Sequence, residues 1–201
     1  IEELLFALSE YTKMPEYQEK FGATVFKITR DAQGSRLTHL KVTGGVLKAR
    51  NLLTGHKQNK PEDIWEEKVN QIRIYSGEKY ETKDEVEAGT ICAVTGLSYT
   101  YPGEGLGIQT ESELPILEPV LTYELILPEG VQPQAMMPKL TMLEEEEPEL
   151  HIVWNEQLQE IKIQIMGEVQ IEILKALISD RFGVEVEFGT GKILYRETIA
   201  D

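Results

Sequence analysis

Residues 160–188, EIKIQIMGEVQIEILKALISDRFGVEVEF, carry two hydrophobic periods back to back with a glycine at each joint. Ile161, Ile163 and Ile165 alternate with Lys162 and Gln164, the period-two pattern of a half-buried strand. After Gly167, residues Ile171, Leu174, Ile178 and Phe182 recur at spacings of three and four, with Ile173 and Leu177 widening the stripe, which predicts a helix packed on a core. Gly183 stands where a left-handed C-terminal cap belongs. Val184, Val186 and Phe188 then alternate with Glu185 and Glu187, so the stretch reads strand, helix, strand.

The residues before it supply a matching half. Leu121, Tyr123, Leu125 and Leu127 alternate along a strand ending at Pro128, and Pro133–Glu146 reads as a helix with Met136, Met137, Leu140 and Leu143 on its inner face. Pro148 ends that helix, Leu150, Ile152 and Trp154 form a strand, and the polar turn NEQLQE leads into the opening stretch. Strand, helix, strand, strand, helix, strand is the split β-α-β, ferredoxin-like arrangement, an α+β sandwich with both helices on one sheet face. Glu113 to Pro119 is a short proline-bearing connector that marks the domain boundary.

From Thr24 to about Glu113 the texture changes to short strands and turns. Alternation at Phe26, Ile28 and Arg30, the turn DAQGS, alternation at Leu40 and Val42, and the Gly44-Gly45 turn follow one another closely. Further strands are expected at 69–75 and 90–97, and VLKARNLL places Lys48 and Arg50 on one face. Such spacing without intervening helices predicts a small closed β-barrel. PEDIWEEK reads as a single helical turn with Pro61 at its start. Leu4, Leu5, Leu8 and Tyr11 recur at helical spacing behind Glu2 and Glu3. The expected division is therefore a helix and linker over 1–20, an all-β barrel over 21–114 and a ferredoxin-like domain over 115–201.

The 201 residues include 35 acidic and 20 basic side chains, for a formal net charge of −15 that by itself argues against a nucleic-acid binder. Its distribution says something different. Residues 117–201 hold 17 acidic and 6 basic side chains, whereas residues 20–60 hold nine basic side chains against Asp31 alone. That segment is either a solvated face answered by the acidic residues at 62–67 and 78–87 or an anion-facing patch. The one cysteine, Cys92, lies in the apolar run TICAVTGL, which excludes an intrachain disulfide and fits a buried thiol in a reducing compartment. The chain opens on IEELLFALSEY without an initiator Met, and the expectation is a piece of something longer.

Fragments that look like nucleotide-binding signatures fail on spacing. Gly191-Lys192 has Val186 where a phosphate-binding loop needs its first glycine and Ile193 where it needs Ser or Thr. Asp31-Ala32-Gln33-Gly34 lies in a hairpin, where Gly34 is explained by a positive φ. His39, His56 and His151 lack second ligands at metal-binding spacing, and Glu144–Glu147 is a contiguous run around a helix end, read as a solvated face. No nucleophile with a base partner emerges, and no catalytic, cofactor or metal residue is assigned. A ferredoxin-like fold can host acylphosphate hydrolysis, but the loop PEGVQPQ has no arginine.

Stretches in both halves of the chain resemble translational GTPases of the elongation factor G type. VFKITRDAQGSRLTHLKVTGGVLKARNLL and EVEAGTICAVTGL resemble that family's second domain, a translation-factor barrel, and LEEEEPELHIVWNEQLQEIKIQIMGEVQIEIL resembles its third. The family's Tyr-Arg-Glu-Thr stands at Tyr195, Arg196, Glu197 and Thr198. Elongation factor G usually has Gly-Met-Gly-Glu-Leu-His-Leu-Glu, whereas here Ile165 replaces the first glycine and Val169-Gln170 follow Glu168, which is more similar to tetracycline-resistance ribosomal protection proteins.

The resemblance implies a non-catalytic, ribosome-binding part of a translational GTPase, cytoplasmic and monomeric, without a membrane partner. Its partners would be small-subunit ribosomal RNA, ribosomal protein, and the GTPase and later domains of the full-length protein. It also implies that GTP and magnesium belong to a GTPase domain outside this chain, whose last helix would be residues 1–12. Lys41, Lys48 and Arg50 are the residues implied for RNA phosphates, and Met166, Gly167 and Glu168 for the contact with the GTPase domain. An elongation, release or recycling factor and a stand-alone interaction module are the alternatives.

Overall fold

The computed structural model describes residues 1–13, 15–58, 60–110, 121–156 and 158–193. The connector expected at 113–119 and the Tyr195–Thr198 motif lie outside them. The chain divides into two compact units, Ile1–Ser112 and Glu113–Asp201.

The first unit opens with helix α1 (Glu2–Tyr11), none of whose residues is buried. The strands are β1 (Gly22–Arg30), β2 (Arg36–Gly44), β3 (Val46–Lys48), β4 (Leu52–Lys57), β5 (Lys60–Lys68), β6 (Gln71–Ser76), β7 (Lys79–Lys83), β8 (Glu85–Glu87), β9 (Ile91–Thr95) and β10 (Gly105–Gly107). Six of them form an antiparallel sheet in the order β10-β1-β2-β9-β6-β7, and β3-β8 and β4-β5 form two-stranded ribbons. Val25, Ile28 and Leu40 of the sheet share one core with Leu47 and Val86 of the first ribbon and Leu53 and Trp65 of the second. This is the expected β-barrel, with its hydrogen bonding broken into three pieces.

PEDIWEEK is not a helical turn. It lies in β5, where Trp65 is buried (3% exposed) and Ile64 and Glu66 face outward, so the demand for a buried Trp65 overrides the helix-start signal of Pro61. The Trp65 indole N–H donates to Glu104 Oε1 at 3.1 Å, and Glu104 is itself 1% exposed. Gly55 on β4 stands opposite Trp65, and a Cβ there would come within 2.5 Å of the indole ring.

The DAQGS turn has a specific fastening. Asp31 Oδ1 accepts the backbone N–H groups of Gln33 (3.1 Å) and Ser35 (2.9 Å), Oδ2 accepts Arg73 of β6 at 2.9 Å, and Gly34 has φ +80°. The hydrogen bond from Arg73 is the largest of the effects that hold the Asp31 carboxyl below its ordinary value near 3.8. A carboxyl lowered by folding contributes stability above its unfolded value, and that contribution is lost as pH falls through the folded value. Asp31→Asn is therefore expected to lose stability at pH 7 but to show a shallower acid limb below about pH 4. Urea titrations at pH 7, 4 and 3 check it, and parallel acid limbs would contradict it.

The second unit contains β11 (Leu121–Ile126), α2 (Pro133–Glu146), β12 (Val153–Asn155), β13 (Glu160–Ile165), α3 (Glu168–Phe182), β14 (Glu187–Phe188) and β15 (Lys192–Ile193). Its sheet runs β12-β13-β11-β14, every neighbour antiparallel, with β15 also on β11. The first strand is thus flanked by the third and fourth, which is the ferredoxin-like order. Ile161, Ile163 and Ile165 are buried with Met136, Leu140 and Leu143 of α2 and Leu174 and Ile178 of α3. Gly183 caps α3 at φ 65°.

Several details differ from the sequence expectation, the first being that the strand read over residues 184–188 is only Glu187–Phe188. Leu150 lies in a 3-10 turn (Pro148–Leu150) and the following strand is only Val153–Asn155. Ile173 is 60% exposed and so is not part of the buried stripe of α3. The acidic run is only partly a solvated face: Glu144 accepts the Ile152 backbone N–H at 2.9 Å, and Glu146 takes two hydrogen bonds from Arg181 (2.7 and 3.1 Å), tying α2 to α3.

Candidate functional site

The three basic residues expected to face phosphate occupy different environments. Lys41 is exposed on β2, opposite Ile91 of β9, and has no ion-pair partner among the described residues. Lys48 is exposed on β3 but lies 3.1 Å from Glu85 of β8, which lowers its value as a free cation. Arg50 is not on a strand face with Lys48. It sits in the following turn at φ 69°, its backbone N–H bonded to the Val69 carbonyl at 2.7 Å. Lys57, by comparison, is engaged by Asp63 at 3.6 Å and lies 5.0 Å from the Tyr99 ring centroid.

The residues expected to meet another domain lie where α3 begins. Met166, in the joint before the helix, is 44% exposed, and Val169 (77%) and Ile173 (60%), four residues apart, share one outward face of α3. Glu168 is exposed in the first turn of α3, where a carboxylate suits the helix dipole. Gly167 is the N-cap in extended backbone (φ −176°), and nothing lies within 4 Å of where a Cβ would stand. Gln170 Oε1 accepts the Met166 N–H at 2.9 Å, so this side chain fastens the strand-to-helix joint. Ile165 is 1% exposed and fills the core at the end of β13.

Sequence reading missed a group of rings on the six-stranded sheet. Phe26, His39, Tyr75 and Tyr80 come from β1, β2, β6 and β7, with successive centroids 6.2, 6.2 and 5.3 Å apart. Burial, and after it the charge of Lys27, holds the His39 imidazole below its usual value, so the ring is neutral at pH 7. The signal was present as aromatic residues at outward strand positions, but only the pairing of β6 with β9 and β7 brings them beside β1 and β2. Cys92 is buried among apolar neighbours, its thiol pushed up to about 12 by burial, and is chemically inert.

Residues 116–190 match the family model described as Elongation Factor G, domain III. The second unit is an elongation factor G domain III. The chain as a whole is homologous to proteins of that family. It is 29% identical to tetracycline resistance protein TetP of Clostridium perfringens over 98% of this chain and 30% of that protein. It is 28% identical to elongation factor G of Amoebophilus asiaticus over 93% of this chain and 26% of that protein, and 30% identical to that of Ureaplasma parvum over 96% and 28%. The crystal structure of a protein from Thermus thermophilus has the same fold over 93% of this chain and 28% of its own, with a TM-score of 0.72 at 24% identity. The chain thus spans about 30% of the length of the relatives it matches. Within domain III, Gln170 and Ile165, the two positions that part from the usual elongation factor G run, have structural roles at the joint and in the core. No helix among the described residues is long and apolar enough to cross a membrane.

Proposed function

We propose that this chain is the non-catalytic, ribosome-binding part of a translational GTPase of the elongation factor G family. The observation that carries the reading is similarity over 93–98% of the chain to proteins named for elongation and tetracycline resistance, spanning both units in one order. The tetracycline-resistance ribosomal protection type is the finer reading, favoured by Val169-Gln170 after Glu168. The alternative is an elongation factor proper, to which identity is equally high. GTP and magnesium would be held by a GTPase domain elsewhere in the full-length protein. Helix α1, with Leu4, Leu5, Phe6 and Leu8 all more than half exposed, would belong to that domain.

The first unit would rest on small-subunit ribosomal RNA through Lys41 and Arg50, with Lys48 weakened by Glu85. Domain III would carry nucleotide state between domains through Met166, Gly167 and Glu168. In the full-length protein, Lys41→Glu with Arg50→Glu is expected to reduce co-sedimentation with ribosomes, by more at low salt than at high. Unchanged pelleting at both salts would remove these residues from the contact. A raised growth limit in tetracycline selects the protection reading, whereas rescue of cells depleted of elongation factor G selects the alternative.

A further inference from the structure

The ring cluster on the six-stranded sheet is unused by the proposed function. Phe26 is 48% exposed, Tyr80 46% and Tyr75 36%, so three of the four rings present open area to solvent. The group is held from beneath and from the side. The Thr29 hydroxyl and His39 Nε2 are 2.7 Å apart, fixing the imidazole, and the Arg73 guanidinium lies 4.4 Å from the Tyr80 ring centroid while also bonded to Asp31. Arg73 is 8% exposed and packs on the Tyr80 ring, which itself stays 46% exposed. The rings differ in tilt by 40–52°, so they do not stack on one another in parallel and their faces remain available.

The charge around the rings identifies the occupant. Strand register puts Lys27, Lys41 and Arg73 on the ring face, and Arg30, Arg36, Lys79 and Lys83 on the other face together with the single carboxylate of these strands, Glu81. Glu81 is ion-paired with Lys83 at 3.0 Å and alternates to the face opposite Tyr80. Lys27 stands directly across from His39, and Lys41 two residues further along β2; both are exposed and neither has an ion-pair partner among the described residues. In a chain of net charge −15, a face on which Asp31 is taken up by Arg73 and two lysines stand beside the row of rings is complementary to a polyanion that has flat apolar faces.

We propose that this face binds an unpaired stretch of RNA, with bases stacked on Phe26, Tyr75 and Tyr80 and phosphates on Lys27 and Lys41. The proposal rests on the ribosome-binding reading and deepens it: the contact is with unpaired nucleotides and not with duplex backbone alone. A duplex hides its base faces in its own stack, so aromatic platforms select single strands, loops and bulges. The neutral His39 lies between Phe26 and Tyr75, so the row of rings is continuous across the sheet.

The test uses the 201-residue chain and a fluorescein-labelled, unstructured 12-nucleotide RNA, read by anisotropy against a duplex of the same sequence. The single strand is expected to bind more tightly than the duplex. Tyr75→Ala with Tyr80→Ala should weaken it by about tenfold to a hundredfold, while the slope of log affinity against log salt stays unchanged. Lys27→Ser with Lys41→Ser should instead lower that slope by about 1.4, the loss of two single-strand phosphate contacts. Tyr75→Phe with Tyr80→Phe keeps the ring faces, and its near-normal affinity separates lost stacking from lost folding. Equal or tighter duplex binding, indifference to the alanine variants, or no binding at all overturns the proposal. So does dimerisation of the chain that the alanine variants abolish, because the face is then an interface between copies. Pelleting of the full-length protein with ribosomes that persists in the alanine variants sinks base stacking and leaves the ribosome reading standing. Absence of pelleting in the unmodified protein sinks the ribosome reading, and the oligonucleotide result then stands or falls by itself.

Discussion

Trp65→Ala is expected to destabilise the first unit by about 3–5 kcal/mol, the usual cost of removing a buried tryptophan from a packed core. Two losses add at this position. The side chain is 3% exposed in the shared core of the sheet and both ribbons, so its removal opens a cavity that touches all three hydrogen-bonded pieces. Its indole N–H also satisfies the buried Glu104 carboxylate, whose other oxygen accepts the Tyr101 backbone N–H at 3.4 Å. Trp65→Phe separates the terms, because it keeps most of the apolar volume and removes the donor. It should cost about 1–3 kcal/mol, the range for removing a hydrogen-bond donor from a buried charged group. Urea unfolding followed by circular dichroism checks both variants. In either one the remaining tryptophan, Trp154, reports on the second unit alone, and its fluorescence transition should not move. A shift of the Trp154 midpoint would mean that the two units unfold together.

Leu140→Ala should have the second largest effect, about 2–5 kcal/mol on domain III. Leu140 is fully buried on α2 and shares the core with Ile161 and Ile163 of β13 and Ile178 of α3, so the lost contacts span both helices and the sheet. Ile173→Ala on α3 is the control. At 60% exposure it should change stability by no more than about 0.5 kcal/mol, as surface substitutions generally do. Made in the Trp65→Phe background, both are measured by the Trp154 fluorescence midpoint in urea. If Ile173→Ala proved as costly as Leu140→Ala, the exposed stripe of α3 would be packed in solution.

The contrast between Leu140 and Ile173 shows what the sequence could and could not say. Period two at Ile161, Ile163 and Ile165, period three to four across α2, and Gly183 as cap are local signals, and local signals settle element type and most of the sheet order in the second unit. Which apolar residue of a helix faces outward is decided by where the sheet lies, so Ile173 read as core. In the first unit the burial of Trp65 against Glu104, 39 residues away, outweighed the local helix signal at Pro61. The candidate RNA-facing group divides the same way. Lysines in 20–60 are visible as composition, but whether each is free depends on partners such as Glu85 for Lys48, and the ring cluster exists only once β6 and β7 are placed beside β9.

Gly167 has an extended backbone and open space where a side chain would begin. Folding of domain III therefore places no steric demand on this position, and most substitutions there should leave the isolated chain intact. Any intolerance seen in the full-length protein would accordingly be a measurement of its neighbour's shape, taken without interference from the fold that carries the glycine.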